Sequence, residues 1–166
     1  MSFPWPEPGT PLAALPTPMP VIDEDRLAAN IARAQTYLDG HGLAFRPHIK
    51  THKIPAVARA QLAAGAVGIN CQKVTEAEVF ADAGFEDILI TYNILGPAKL
   101  ARLAALNARV RRLLVVTDSM TTVAGYAGAF GVDRPLSVLI ECDTGGGRVG
   151  AQTPEAAVEL ARAVAA

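Results

Sequence analysis

The sequence predicts the α/β class, in the form of part of a (β/α) barrel, and three observations carry that prediction. Strand-like and helix-like segments alternate along the chain. The strands that can be tested for a face are polar on one side only. About five such units fit into 166 residues, whereas a closed barrel of eight typically takes about 250.

Alternating βα units impose parallel strands joined by right-handed crossovers, which leaves a closed barrel or a doubly wound open sheet. Side chains alternate at period two, so in Leu43 to Lys50 the residues Ala44, Arg46, His48 and Lys50 share a face opposite Leu43, Phe45, Pro47 and Ile49. In Leu136 to Asp143, Ser137, Leu139, Glu141 and Asp143 oppose Leu136, Val138, Ile140 and Cys142. An open sheet covered by helices on both sides would be apolar on both. A barrel keeps its helices outside and turns polar groups toward an inner mouth, so a partial TIM barrel is the expected architecture.

The elements follow in order. Residues 1–20 are rich in proline and form an extended arm; residues 21–166 are expected to form one incomplete barrel domain. Val21-Ile22-Asp23 is a strand-like lead-in, and Asp23 caps a helix whose apolar positions Leu27, Ile31, Ala34 and Leu38 recur at helical spacing until Gly40 and Gly42. Strands are expected at Leu43 to Lys50, Gly68 to Gln72, Asp87 to Tyr92, Arg112 to Thr117 and Leu136 to Asp143. Helices are expected at Ile54 to Ala63, Thr75 to Ala83, Pro97 to Leu106 and Ser119 to Phe130, with a last one opening at Pro154. Five strands without closing partners leave two unpaired edges and an uncovered apolar interior, a liability for aggregation.

Composition excludes several functions. A 51% hydrophobic, 19% charged chain folds. A net charge of -1 with scattered basic residues offers no field for nucleic acid or anionic lipid. The first twenty residues have neither the basic start nor the apolar run of a signal peptide, and no apolar stretch approaches the ~20 residues of a membrane helix. A cytoplasmic protein is expected, with neither nucleic-acid nor membrane partners. Cys71 and Cys142 show no metal or disulfide spacing and are expected to be reduced core thiols.

Chemistry concentrates in Arg46-Pro47-His48-Ile49-Lys50-Thr51-His52-Lys53. Lys50 falls at the carboxyl end of a strand, where barrels of this kind build their sites, on the same face as Arg46 and His48. An amine condenses with an aldehyde only when unprotonated, and partial burial beside positive charge favours that form. Strand ends often finish in a solvated lysine, but three polar groups in succession on the inner face favour a site. A metal reading of His48 and His52 is weaker, because i, i+4 spacing aligns ligands on a helix and here it straddles a strand end. Gly145-Gly146-Gly147-Arg148-Val149-Gly150 matches the dinucleotide pattern GxGxxG, but it follows the fifth strand rather than the first.

The run Arg46 to Lys53, with Cys71-Gln72-Lys73 and then Glu76-Ala77-Glu78, resembles the N-terminal half of D-threonine aldolases and eukaryotic-type D-serine dehydratases, relatives of alanine racemase. The resemblance covers the chain from about Pro16 onward and implies an alanine racemase N-terminal-like barrel that binds pyridoxal 5'-phosphate (PLP). It implies that Lys50 carries PLP covalently, with Lys53 a spectator and His48 among the cofactor-binding residues. Glu141 to Gly150 resembles the family's fifth-strand motif, in which the arginine, here Arg148, approaches the phenolic oxygen of the cofactor. A guanidinium there would favour the anionic oxygen, and the glycines would let the backbone come close. Gln72 would hydrogen-bond the cofactor ring or substrate, or else be satisfied by backbone.

The implied activity is that of a PLP-dependent lyase acting on β-hydroxy D-amino acids, cleaving them by retro-aldol chemistry to glycine and an aldehyde. The alternatives are a D-serine dehydratase, a non-catalytic PLP-binding protein or an inactive fragment. The family's phosphate-binding loops and divalent metal site lie in later strands and a second, β-rich domain, whose positions are not in this sequence; Val21 to Asp23 would belong to that domain. A homodimer is implied for the full-length form.

Overall fold

The computed structural model describes residues 5–166, so Met1 to Pro4 of the expected arm lie outside it. The rest of the arm holds one short 3-10 turn, Leu12–Ala14, and no strand. Regular structure begins where Asp23 accepts the Arg26 N–H at 2.9 Å, capping helix α1 (Glu24–Gly40). The expected stripe Leu27, Ile31, Ala34 and Leu38 is its half-buried side. Val21 and Ile22 form no strand and are exposed.

Beyond α1 the alternation is as expected. Helix α2 (Pro55–Ala63) leads to strand β1 (Ile69–Cys71), α3 (Val74–Asp82) to β2 (Asp87–Ile90), α4 (Pro97–Arg109) to β3 (Arg112–Thr117), and α5 (Met120–Ala129) to β4 (Ser137–Ile140); α6 (Pro154–Ala165) follows. The four strands are parallel and lie in sequence order, each beside the next, without the reversal of strand order that marks a doubly wound sheet. Their two faces differ. Ile69, Ile88 and Leu113 stand in register, as do Cys71, Ile90 and Val115, and both rows are buried beneath Phe80, Leu103 and Leu106 of the helical layer. Each such side chain contributes about 1.5–3 kcal/mol on leaving water. The opposite face carries the row Asn70, Leu89, Leu114, Ser137, which opens from buried at Leu114 to exposed at Ser137. Tyr126 of α5 ties the layers at the carboxyl end: its hydroxyl donates to Val116 O (3.2 Å) and accepts the Ile94 N–H (3.3 Å), and burial pushes it up to about 12.

Among the described residues the sheet has four strands, not the expected five. Residues 43–48 are extended along β1, where Phe45 O accepts the Val67 N–H and Pro47 O the Asn70 N–H, both at 2.9 Å. Pro47 has no N–H to return, so the ladder reduces to a single parallel bridge between His48 and Asn70. Directly after it the chain tightens into a 3-10 turn, Ile49–Thr51, which contains Lys50. The last expected strand is also shorter. It stops at Ile140, and Cys142 bridges Ala151 of the returning loop, with Ala151 N–H to Glu141 O at 2.7 Å. Cys142 is exposed there, so of the two expected core thiols only Cys71 is one; burial first, and then the Glu76 charge, push Cys71 up to about 12.

Candidate active site at the carboxyl end of the sheet

His48 positions Lys50. It precedes the 3-10 turn with extended backbone, and its Nδ1 accepts the Lys50 N–H at 3.3 Å, as a side-chain cap does. With Nδ1 accepting, the proton of the neutral ring sits on Nε2, 3.4 Å from Thr91 Oγ1; Thr91 in turn donates to Asn70 Oδ1 at 2.9 Å. The Gln72 side chain reaches the same ring. Burial first, and then the Lys50 charge, lower the His48 imidazole below its ordinary value against the opposing pull of Glu76, so it is neutral at pH 7. Lys50 itself is exposed, and its amine makes no hydrogen bond or ion pair among the described residues.

Lys50, His48 and Gln72 are therefore brought together, but Arg46 is not beside the amine. Its guanidinium crosses β1 over Gly68 and bonds Asp87 Oδ1 at 2.8 Å, with longer contacts to the Ile69 and Asp87 carbonyls. A half-buried arginine needs a carboxylate, and Asp87, at the amino end of β2, supplies it. Nor do His48 and His52 converge on a metal. His52 turns its own Nδ1 onto the Ile54 N–H at 3.0 Å, and no group of three His, Cys, Asp or Glu side chains among the described residues is disposed to hold an ion.

A buried carboxylate that the sequence offered only inside a motif stands under this turn. Glu76, in the first turn of α3, is 7% exposed; it accepts the Gln72 N–H at 2.9 Å and the Lys53 ammonium at 3.1 Å. Burial pulls its carboxyl upward, but the Gln72 N–H, Lys53 and the Lys73 charge outweigh burial and hold it below the ordinary value. Lys53 is no bystander to the fold: it is the one non-glycine residue with positive φ among the described residues, at 56°.

A second cluster gathers at the carboxyl ends of β2, β3 and β4. Asp118, just past β3, accepts the Asn93 amide at 2.5 Å and the Gly150 N–H at 2.8 Å. Burial first and then Asp118 raise the neighbouring Glu141 carboxyl, and Arg148 opposes them; Arg148 itself is exposed. The glycine loop does not present free amides to a phosphate. Gly145, Gly146 and Gly147 all donate to the Asp143 carboxylate, and these bonds, led by Gly145 and Gly147, hold it below its ordinary value. Gly150, at φ 102°, closes the loop so tightly that a Cβ would run into the Cys142 and Asp143 backbone. The GxGxxG match is thus a self-capped turn.

Comparison with known proteins agrees with the fold. Residues 22–166 match the family described as alanine racemase, N-terminal domain. The chain is 42% identical over 157 residues to D-threonine aldolase of Arthrobacter sp, covering 94% of this chain and 41% of that protein. It is 41% identical over 152 residues to D-threo-3-hydroxyaspartate dehydratase of Delftia sp. (strain HT23), covering 90% and 40%. Among solved structures, D-threonine aldolase from Filomicrobium marinum superposes with a TM-score of 0.88 at 38% identity, over 93% of this chain and 42% of that one. The chain spans about two fifths of the length of these relatives.

Proposed function

Because the chain belongs to the alanine racemase N-terminal domain family, we propose that it forms the lysine-bearing half of a PLP-dependent lyase for β-hydroxy D-amino acids, with Lys50 as the residue that carries PLP. The observation behind this reading is the state of that amine. It stands at the carboxyl end of the sheet, on a turn capped by a neutral imidazole, and no side chain or carbonyl among the described residues engages it.

The surrounding groups fit such a cofactor. His48, Asn70 and Thr91 form a hydrogen-bonded polar floor on the inner face, and Gln72 adds an amide at its rim. We assign His48 and Gln72 to hold the cofactor ring, and Arg148 to its phenolic side. His48 fixes the turn through Nδ1 and, being neutral, adds no charge beside Lys50. When bound, PLP supplies the electron sink that lets a bond to the substrate α-carbon break. A divalent metal, which the resemblance also implies, finds no ligand set among the described residues, and no step is assigned to it.

The reading favoured is aldol cleavage, giving glycine and an aldehyde, as the name of the Arthrobacter relative suggests. The similarity to the Delftia dehydratase supports the second reading, loss of the β-hydroxyl to give a keto acid and ammonia. Product analysis on a β-hydroxy D-amino acid separates the two. We further assign residues 1–20 to an arm and 21–166 to the barrel domain, with a homodimer for the full-length form and a cytoplasmic location. No helix among the described residues is long and apolar enough to cross a membrane.

The experiment that tests the site is borohydride reduction after incubation with PLP, followed by peptide mapping. The expected result is a stable adduct on Lys50 that Lys50→Ala abolishes; an adduct that persists in Lys50→Ala overturns the assignment.

A further inference from the structure

Two turns at the carboxyl end of the sheet carry the residues assigned to the cofactor: the turn Ile49–Thr51, and the β1–α3 turn at Gln72 and Lys73. One buried carboxylate touches both. Glu76 accepts the Gln72 N–H at 2.9 Å with Oε2 and the Lys53 ammonium at 3.1 Å with Oε1. A glutamate in the first turn of a helix ordinarily serves its own helix, accepting a backbone N–H at the N-cap and favoured by the helix dipole. Here it also receives a cation from a different segment, and at 7% exposure it relies on both partners to offset the loss of water.

Lys53 makes the second contact from an unfavourable backbone. Its φ of 56° lies in the left-handed region, which a side chain with a Cβ seldom adopts, and its N–H closes the turn onto Ile49 O at 2.7 Å. Glycine would hold that conformation without strain, yet the position carries the ammonium that reaches Glu76.

We propose that Glu76 is a positioning residue: acting through Lys53, it clamps the Lys50-bearing turn against the carboxyl end of β1 and so fixes where the Lys50 amine stands. This rests on the reading of Lys50 as the PLP lysine, but the clamp itself is mechanical and can be observed without cofactor.

The test uses Glu76→Gln, Lys53→Gly and Lys53→Arg, with two readouts. The first is hydrogen exchange of the amides of residues 49–53 in the protein without PLP; the second is affinity for PLP, followed by borohydride trapping. Glu76→Gln keeps an acceptor for the Gln72 N–H but loses the ion pair. Lys53→Gly relieves the backbone and loses the same pair, so a role limited to turn geometry would leave it as protected as wild type or more so. The clamp predicts the reverse: both variants raise exchange across 49–53 and weaken PLP binding, each by roughly tenfold, which corresponds to about 1.4 kcal/mol, and Lys53→Arg restores both. Unchanged exchange and affinity in Glu76→Gln and Lys53→Gly overturn the proposal. Trapping of PLP on a lysine other than Lys50 in wild type overturns the functional reading instead, while the exchange comparison still decides the clamp.

Discussion

His48 shows how one side chain reports on its neighbours. Its imidazole is lowered first by burial and then by the Lys50 charge, while Glu76 pulls the other way. Lys50→Met should therefore raise the His48 midpoint part of the way toward its ordinary value, and Glu76→Gln should lower it further; NMR titration of the ring reads both, and shifts of the opposite sign would refute the arrangement. The link to stability has a definite direction. A histidine depressed in the fold binds its proton more readily when unfolded, so His48's contribution is complete above about pH 6.5, the unfolded value, and is lost as pH falls through the folded one. The neighbourhood of Lys50 and His48 is legible because the two are close in sequence, but they meet through the cap of a 3-10 turn and not on the face of the expected strand. Glu76 was not legible as a partner of Lys53, since the contact joins residues 23 apart through a left-handed turn that no local pattern announces.

The helices were the elements most readable from sequence, because caps and apolar spacing are local: Asp23 before α1, Pro97 in the first turn of α4, Pro154 at the start of α6. The expected strand from Leu43 does not form, for an equally local reason, the missing N–H of Pro47. Arg46 stands away from the site because its partner, Asp87, comes from a strand 41 residues away. That crossing makes a demand on β1. Arg46 passes over Gly68, where a Cβ would come within 2.8 Å of both Arg46 Cζ and Asp87 O. Gly68→Ala must displace the guanidinium or spread the strands, and the cost of such overpacking is about 1–3 kcal/mol. Urea denaturation of Gly68→Ala should show that loss; stability equal to wild type would mean that the arginine can leave Gly68 freely.

At the scale of the whole molecule, the two faces of the sheet have different fates. The helix-facing rows are closed over by α3, α4 and α5, whereas the inner face runs from the polar floor of His48, Asn70 and Thr91, through buried Leu114 and Val116, to Leu139, which is 44% exposed on β4. Among the described residues β4 pairs only with β3. Its outer edge therefore offers backbone donors and acceptors beside an exposed leucine, the combination that templates pairing between chains. The chain of 166 residues should accordingly self-associate in a concentration-dependent way. A lysine at the edge opposes such pairing by charge while leaving the helix-facing core untouched, so Leu139→Lys should shift sedimentation velocity profiles toward the monomer at equal concentration. If Leu139→Lys associates as strongly as wild type, the contact lies elsewhere, and the groove of about 420 Å³ between α5, α6 and β4, lined by Tyr126, Phe130, Leu136 and Val138, is the next apolar surface to alter.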